Sequence, residues 1–201
     1  MSAKRPEKDR GTSPDAPPPD KLIPFLTAPS LAVRAGRAAG VGGLSFLVAW
    51  YLSYLFLPEG FLKPGPGGVG SAAGGALVAA AILAGNLLVR IKGLPGGYLA
   101  AAWGFLYAGI QAGTNSFRVP YSARITPTFR VFSRGIVYEM AAWAILAAAS
   151  CGWALFEMDR LGSGFKRVGS RANRTELAAA VLGILILAAA LALEAAGILP
   201  S

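Results

Sequence analysis

The sequence predicts an all-α protein: a polytopic helical membrane bundle of about five transmembrane helices, with the N-terminus inside and the C-terminus outside. Three observations carry this. Hydrophobic residues make up 54% of the 201 and charged residues 14%, whereas soluble domains average about a quarter charged. The apolar residues fall in runs of about 20, and ~20 helical residues are needed to cross ~30 Å of hydrocarbon. The basic residues collect on alternate sides of those runs, as the cytoplasmic bias of Lys and Arg requires.

The elements follow in order. Residues 1–37 are polar, with Lys4, Arg5, Glu7, Lys8, Asp9 and Arg10 followed by Pro17, Pro18 and Pro19. A segment of this composition cannot offset its ordering entropy by burying apolar area, so about 1–20 reads as disordered. Residues 22–33 (LIPFLTAPSLAV) are apolar but broken by Pro24 and Pro29, which suits an interfacial stretch before Arg34 and Arg37. The whole of 1–37 is therefore expected to be a disordered to interfacial cytoplasmic tail, and 38–201 the transmembrane domain.

The first expected span is 38–57, stopped by Pro58-Glu59-Gly60. A Gly/Pro loop at 63–70 leads to the second, 71–89. Arg90, Lys92 and GLPGG at 93–97 precede the third, 98–113. The fourth is expected at 136–156 and the fifth at 177–197, joined by a basic linker. With the N-terminus inside, fourteen of the nineteen Lys and Arg fall on the inner side and five on the outer, which supports an odd number of spans.

The exception is an external segment at 114–135 that holds Arg118, Arg124, Arg130 and Arg134 among aromatic and branched residues, divided by Pro120 and Pro127. One reading is an interfacial stretch whose guanidinium groups meet lipid phosphates. The other is a docking surface for an extracytoplasmic partner, or a re-entrant element lining a cavity.

Polar residues within the spans are the candidates for a functional or structural role. Glu139 lies about one turn into the fourth span, and a mid-bilayer carboxylate costs ~3 kcal/mol or more, so such groups face the bundle interior and find partners. Glu139 reads either as an interfacial glutamate paired with Arg134 or Arg130, or as a polar anchor or proton-carrying group. Asn86, Gln111 and Asn115 read as interhelical hydrogen-bonding groups, and Glu194 as a glutamate reaching outward from the last span, with an inward partner as the alternative. Gly36–Gly40, Gly70–Gly74 and Gly109–Gly113 have the four-residue spacing that lets helices approach closely.

The same composition excludes several chemistries. Without histidine there is no His-liganded haem, no mixed His/Cys zinc site and no Ser-His or Cys-His nucleophile. Lone Cys151 can form no internal disulfide or Cys-based cluster, and it lies in an apolar stretch that favours a small buried hydrophobe. The glycine-rich stretch at 65–70 is not followed by Gly-Lys-Ser/Thr, so it opens no nucleotide site. No catalytic residue, cofactor or metal site is expected.

Four segments bear a family resemblance. They are Asn86 with the following Leu-Leu-Val-Arg, GFLYAGIQAGTNSF (104–117), SRGIVYEMAAWAILAAAS (133–150) and ALALEAAGILP (190–200). Together they resemble the stage II sporulation protein M family over about residues 75–200. Ser133-Arg134 stand where that family often has a histidine before the glycine. The resemblance implies a non-catalytic multi-span membrane protein; the sporulation member serves as a membrane scaffold for cell-wall-degrading enzymes during engulfment.

The expectation is thus a membrane scaffold in the cell membrane, with a small transporter or channel component as the alternative. Its expected partners are the bilayer with its anionic headgroups, other membrane or extracytoplasmic proteins and a further copy of the chain, with no nucleic acid.

Overall fold

The computed structural model describes residues 30–62, 72–115, 134–158, 164–169 and 172–196. The N-terminal tail to residue 29, the Gly/Pro loop at 63–70 and the arginine-rich stretch 116–133 lie outside them. The described residues form five helices and four short strands: α1 (Leu31–Phe56), α2 (Ala72–Leu88), β1 (Val89–Ile91), β2 (Leu94–Pro95), α3 (Gly96–Asn115), α4 (Arg134–Ser150), β3 (Phe156–Met158), β4 (Lys166–Arg167) and α5 (Arg174–Ala195).

Helix positions agree closely with the apolar runs at α2, lie within two or three residues of them at α3 and α5, and depart further at α1 and α4. α1 starts at Leu31, ahead of the expected start near residue 38, so Arg34 and Arg37 belong to the helix and not to the tail. The apolar run from Leu31 onward tolerates Arg34 because it is buried against a carboxylate. α4 ends at Ser150, short of the expected 156, and the chain turns at Cys151 and Gly152 into β3.

The sheet is the main departure from an all-α expectation. Its strand order is β2-β1-β3-β4, with β1 and β3 parallel at the centre and an antiparallel hairpin on each side. Lys92 and Gly93 turn the first hairpin with φ of 50° and 82°, the positive values that a tight hairpin turn with right-handed strand twist requires. Pro95 is accommodated because β2 is an edge strand. Further backbone bonds knit the layer together: Leu155 N–H to the Leu87 carbonyl, Lys92 N–H to Met158 and Val168 N–H to Leu155, each at 2.8 Å.

A helix–hairpin–helix unit therefore occurs twice, as α2-β1-β2-α3 and α4-β3-β4-α5, and the two are joined through their central strands. Helices α1, α3 and α5 run away from the sheet's end of the bundle; α2 and α4 run toward it. Contacts at both ends establish the directions. Arg34 of α1 meets Glu176 of α5 near the sheet, and Gly60 N–H, just past α1, reaches the Thr114 carbonyl of α3 at the other end.

The core is built from small residues and a few rings. Phe46, Trp50, Ile82, Phe105, Trp143 and Leu146 are buried among many alanines, and Phe105 meets Trp143 edge-on with ring centroids 5.9 Å apart. Of the three glycine pairs, Gly109 and Gly113 make the close helix contact. A Cβ at Gly109 would stand 2.5 Å from the Phe46 carbonyl, and one at Gly113 would collide with Ser53 and the Trp50 carbonyl. Gly36 and Gly40 have nothing within 4 Å, so that pair mediates no contact among the described residues; Gly70 lies outside them.

α1 and α5 are long and apolar enough to cross a membrane, by length and composition. Only about a third of each apolar window is buried in the protein, 33% and 28%. On α5, Leu177, Val181, Leu182, Ile184 and Leu185 face outward.

Candidate functional site

The buried polar side chains separate into two layers. The layer nearer the sheet is hydrogen-bonded throughout its centre. Asn86, wholly buried near the end of α2, donates from Nδ2 to the Ala147 carbonyl (3.0 Å) and to Ser150 Oγ (2.8 Å), while its Oδ1 accepts from Gly97 N–H (2.7 Å). Ser150 Oγ donates in turn to the Leu146 carbonyl at 2.6 Å. One amide thus ties three helices. It spans them because Gly97 has no side chain: a Cβ there would collide with the Ile82 carbonyl and with Asn86 itself.

The same layer holds an ion pair that sequence reading missed. Arg34 Nη2 donates to Glu176 Oε1 at 2.7 Å, with both side chains about nine-tenths buried. Glu176 also closes a capping box with Asn173 at the start of α5, which accepts from Glu176 N–H at 2.8 Å. The spacing Asn-x-x-Glu ahead of an apolar run signals such a cap. Nothing in the local sequence signals its arginine partner, 142 positions away. Arg90 completes the layer by donating to the Cys151 carbonyl at 2.9 Å.

The layer at the opposite end contains Glu139, Gln111 and Thr114, all buried. Glu139 is wholly inaccessible, and neither carboxylate oxygen accepts a hydrogen bond from a described residue. It sits where Gly75 leaves space: a Cβ at Gly75 would be 2.7 Å from the Glu139 Cδ. One turn on, Trp143 Nε1 donates to the Gly75 carbonyl at 3.1 Å. Among the described residues, Glu194 of α5 is close enough to act on Glu139 electrostatically. The pairing expected with Arg134 or Arg130 falls on side chains outside the described residues, as do Asn115 and Arg118.

Between the layers lies an apolar barrier. On α4, Glu139 and the Ala147–Ser150 region are separated by Trp143 and Leu146; on α2, Gly75 and Asn86 are separated by Val78 and Ile82. All four intervening side chains are buried. Glu139 and Ala147 are eight residues apart, about 12 Å along a helix. The structure therefore does not bring Asn86 and Glu139, both singled out from sequence, into one site.

Among the described residues the charges are also sorted by end; the side chains of Lys63, Arg118, Arg124, Arg130 and Arg134, which the sequence places at the end away from the sheet, lie outside them. Arg34, Arg37, Arg90, Lys92, Lys166, Arg167 and Arg174 lie in or beside the sheet layer, together with Glu157 and Glu176. The charged side chains described at the other end are Glu59, Glu139 and Glu194.

The fold and its polar layers define a mostly helical protein with a small sheet at one end and two helices of membrane-crossing length and composition. No protein-family model, curated protein or solved structure matches the chain.

Proposed function

We propose that this chain is a non-catalytic integral membrane scaffold. All five helices span the bilayer, the sheet and the N-terminus face the cytoplasm, and the opposite face organises partner proteins in the manner of the stage II sporulation protein M family that the sequence resembles. The cell membrane is its location. The observation that carries the reading is the apolar barrier of Trp143, Leu146, Val78 and Ile82 between the two polar layers. A scaffold needs packed helices, whereas a conducting protein needs polar groups joined along a hydrated route.

Three further features support membrane insertion. Large apolar side chains face outward along α1 and α5, a surface that a water-soluble monomer rarely exposes. In the full sequence fourteen of the nineteen Lys and Arg fall on the side of the N-terminus and the sheet strands, in keeping with the cytoplasmic bias of Lys and Arg. α2 and α4, at 17 residues each, are about 25 Å long. Both lead toward strands whose backbone is paired within the protein, a condition for non-helical backbone near hydrocarbon.

Affinity purification in mild detergent followed by mass spectrometry tests the scaffold reading: a stoichiometric partner is expected, and recovery of the chain alone overturns it. A small transporter or channel component is the second reading, favoured by the buried Glu139 carboxylate, which has no hydrogen-bond partner among the described residues. Ion or solute flux in vesicles reconstituted with the purified chain distinguishes the two.

A further inference from the structure

The register of the sheet gives it two unlike faces. Cross-strand partners share a face and successive residues alternate. Arg90, Glu157 and Lys166 therefore form one row, and Arg90 turns that face toward the bundle through its bond to the Cys151 carbonyl. Val89, Phe156 and Arg167 form the adjacent row, with Ile91 and Met158 beyond it, on the opposite face.

That second face bears an open groove of about 450 Å³ lined by Leu88, Val89, Ile91, Phe156, Met158 and Phe165. Phe165 is 65% exposed and stands edge-on to Phe156, with centroids 6.2 Å apart. The wall is wholly apolar, and a basic residue stands beside it among the described residues. Arg167 shares the row of Phe156, and Lys92 stands in the β1–β2 turn, one residue past Ile91. Both are exposed and have no ion-pair partner among the described residues. The groove begins at Leu88, where α2 ends, and continues the outward-facing Leu87 and Leu88 of that helix.

We propose that this face binds an anionic phospholipid, with an acyl chain in the groove and the phosphate against Arg167. An apolar trough with a cationic residue beside it complements the two halves of such a molecule. Leu88 places the trough where α2 leaves the hydrocarbon, and a basic site at that depth on the cytoplasmic side suits anionic headgroups. The inference rests on the membrane reading and adds the ligand class that the sheet takes.

Native mass spectrometry of the full chain, purified in mild detergent and equilibrated with micelles of phosphatidylglycerol or phosphatidylcholine, tests it. Preferential retention of phosphatidylglycerol is expected. Arg167→Glu lowers that retention roughly fivefold or more, since one basic residue contributes about that factor at an anionic surface. Phe165→Ser, at an exposed position, lowers it with the melting temperature unchanged. Equal retention of the two lipids, or unchanged retention in Arg167→Glu, overturns the site. So does a dimer or protein complex that Phe165→Ser disperses while lipid retention stays the same, because the groove is then a protein interface. Alkaline carbonate treatment of membranes separates the two levels: release of the chain overturns the membrane reading itself, whereas membrane retention without lipid preference overturns the lipid site alone.

Discussion

Arg34 in the first helix and Glu176 in the last form a buried ion pair at 2.7 Å, closing the bundle beside the sheet across 142 residues of sequence. Removing one member of a buried pair leaves the other charge without compensation, at a cost of about 3–5 kcal/mol. Arg34→Ala and Glu176→Gln are both expected to lower thermal stability in detergent strongly. Glu176→Gln retains a side chain suited to the capping box, so its loss reports the ion pair. The Arg34→Leu/Glu176→Leu double variant is expected to recover much of the stability, and a double-mutant cycle measures the coupling.

Asn86 and Ser150 sit in one hydrogen-bond cluster but carry unequal parts of it. Asn86→Ala takes the partner from the Gly97 N–H, removes a donor to the Ala147 carbonyl and leaves a void, whereas Ser150→Ala removes one acceptor of an Asn86 amide that still fills the site. An unsatisfied buried polar group costs about 1–3 kcal/mol, and an interhelical bond within a membrane averages about 0.6 kcal/mol. Asn86→Ala is therefore expected to lower the melting temperature more than Ser150→Ala, and the reverse order contradicts the geometry.

The glycines offer a paired comparison. Gly97→Ala places a methyl against the Ile82 carbonyl and Asn86, while Gly36→Ala and Gly40→Ala meet open space. Alanine in a helix interior is favoured over glycine by roughly 0.5–1 kcal/mol. Gly36→Ala and Gly40→Ala are expected to hold or raise stability, and Gly97→Ala to lower it, in the same thermal assay.

Glu139 has no described hydrogen-bond donor, and Gly75 makes the room it occupies. Replacing a buried carboxylate that no described residue pairs with by a neutral amide removes a desolvation cost. Glu139→Gln is expected to be at least as stable as the parent and to keep its partners in purification. Loss of assembly in both Glu139→Gln and Glu139→Leu shows that the charge itself is required.

Topology is testable from residues at opposite ends. Cysteine placed at Lys92, at the hairpin turn, is expected to resist a membrane-impermeant thiol reagent in intact cells and to react after permeabilisation. Cysteine placed at Glu59 is expected to react from outside. The opposite pattern inverts the bundle. Cys151 is buried and contributes little background.

Where the sequence was most legible, the signal was local. The second apolar run, expected at 71–89, is α2 at Ala72–Leu88, because Gly/Pro residues on one side and Arg90 on the other end it sharply. Asn86 and Glu139 stood out for a similar reason: a polar group in an apolar run needs a partner or a purpose. The sheet was illegible because its central strands are three residues each and pair across 67 positions. A pattern of three residues cannot be told from the end of a helix. Arg34 was misplaced because charge suggested a tail, while the carboxylate that admits it to the helix lies at the far end of the chain.

By itself, then, the sequence determined the helices, the uneven placement of basic residues and the absence of imidazole chemistry, all consequences of composition and of contacts within a few residues. Tertiary structure decided which polar groups are satisfied. It linked Asn86 to three helices and Arg34 to Glu176, paired two helix-ending hairpins into one sheet, and left Glu139 without a described partner behind Trp143. Those outcomes depend on helices meeting at particular heights and faces, and a linear pattern contains the faces of each helix but not the heights at which they meet.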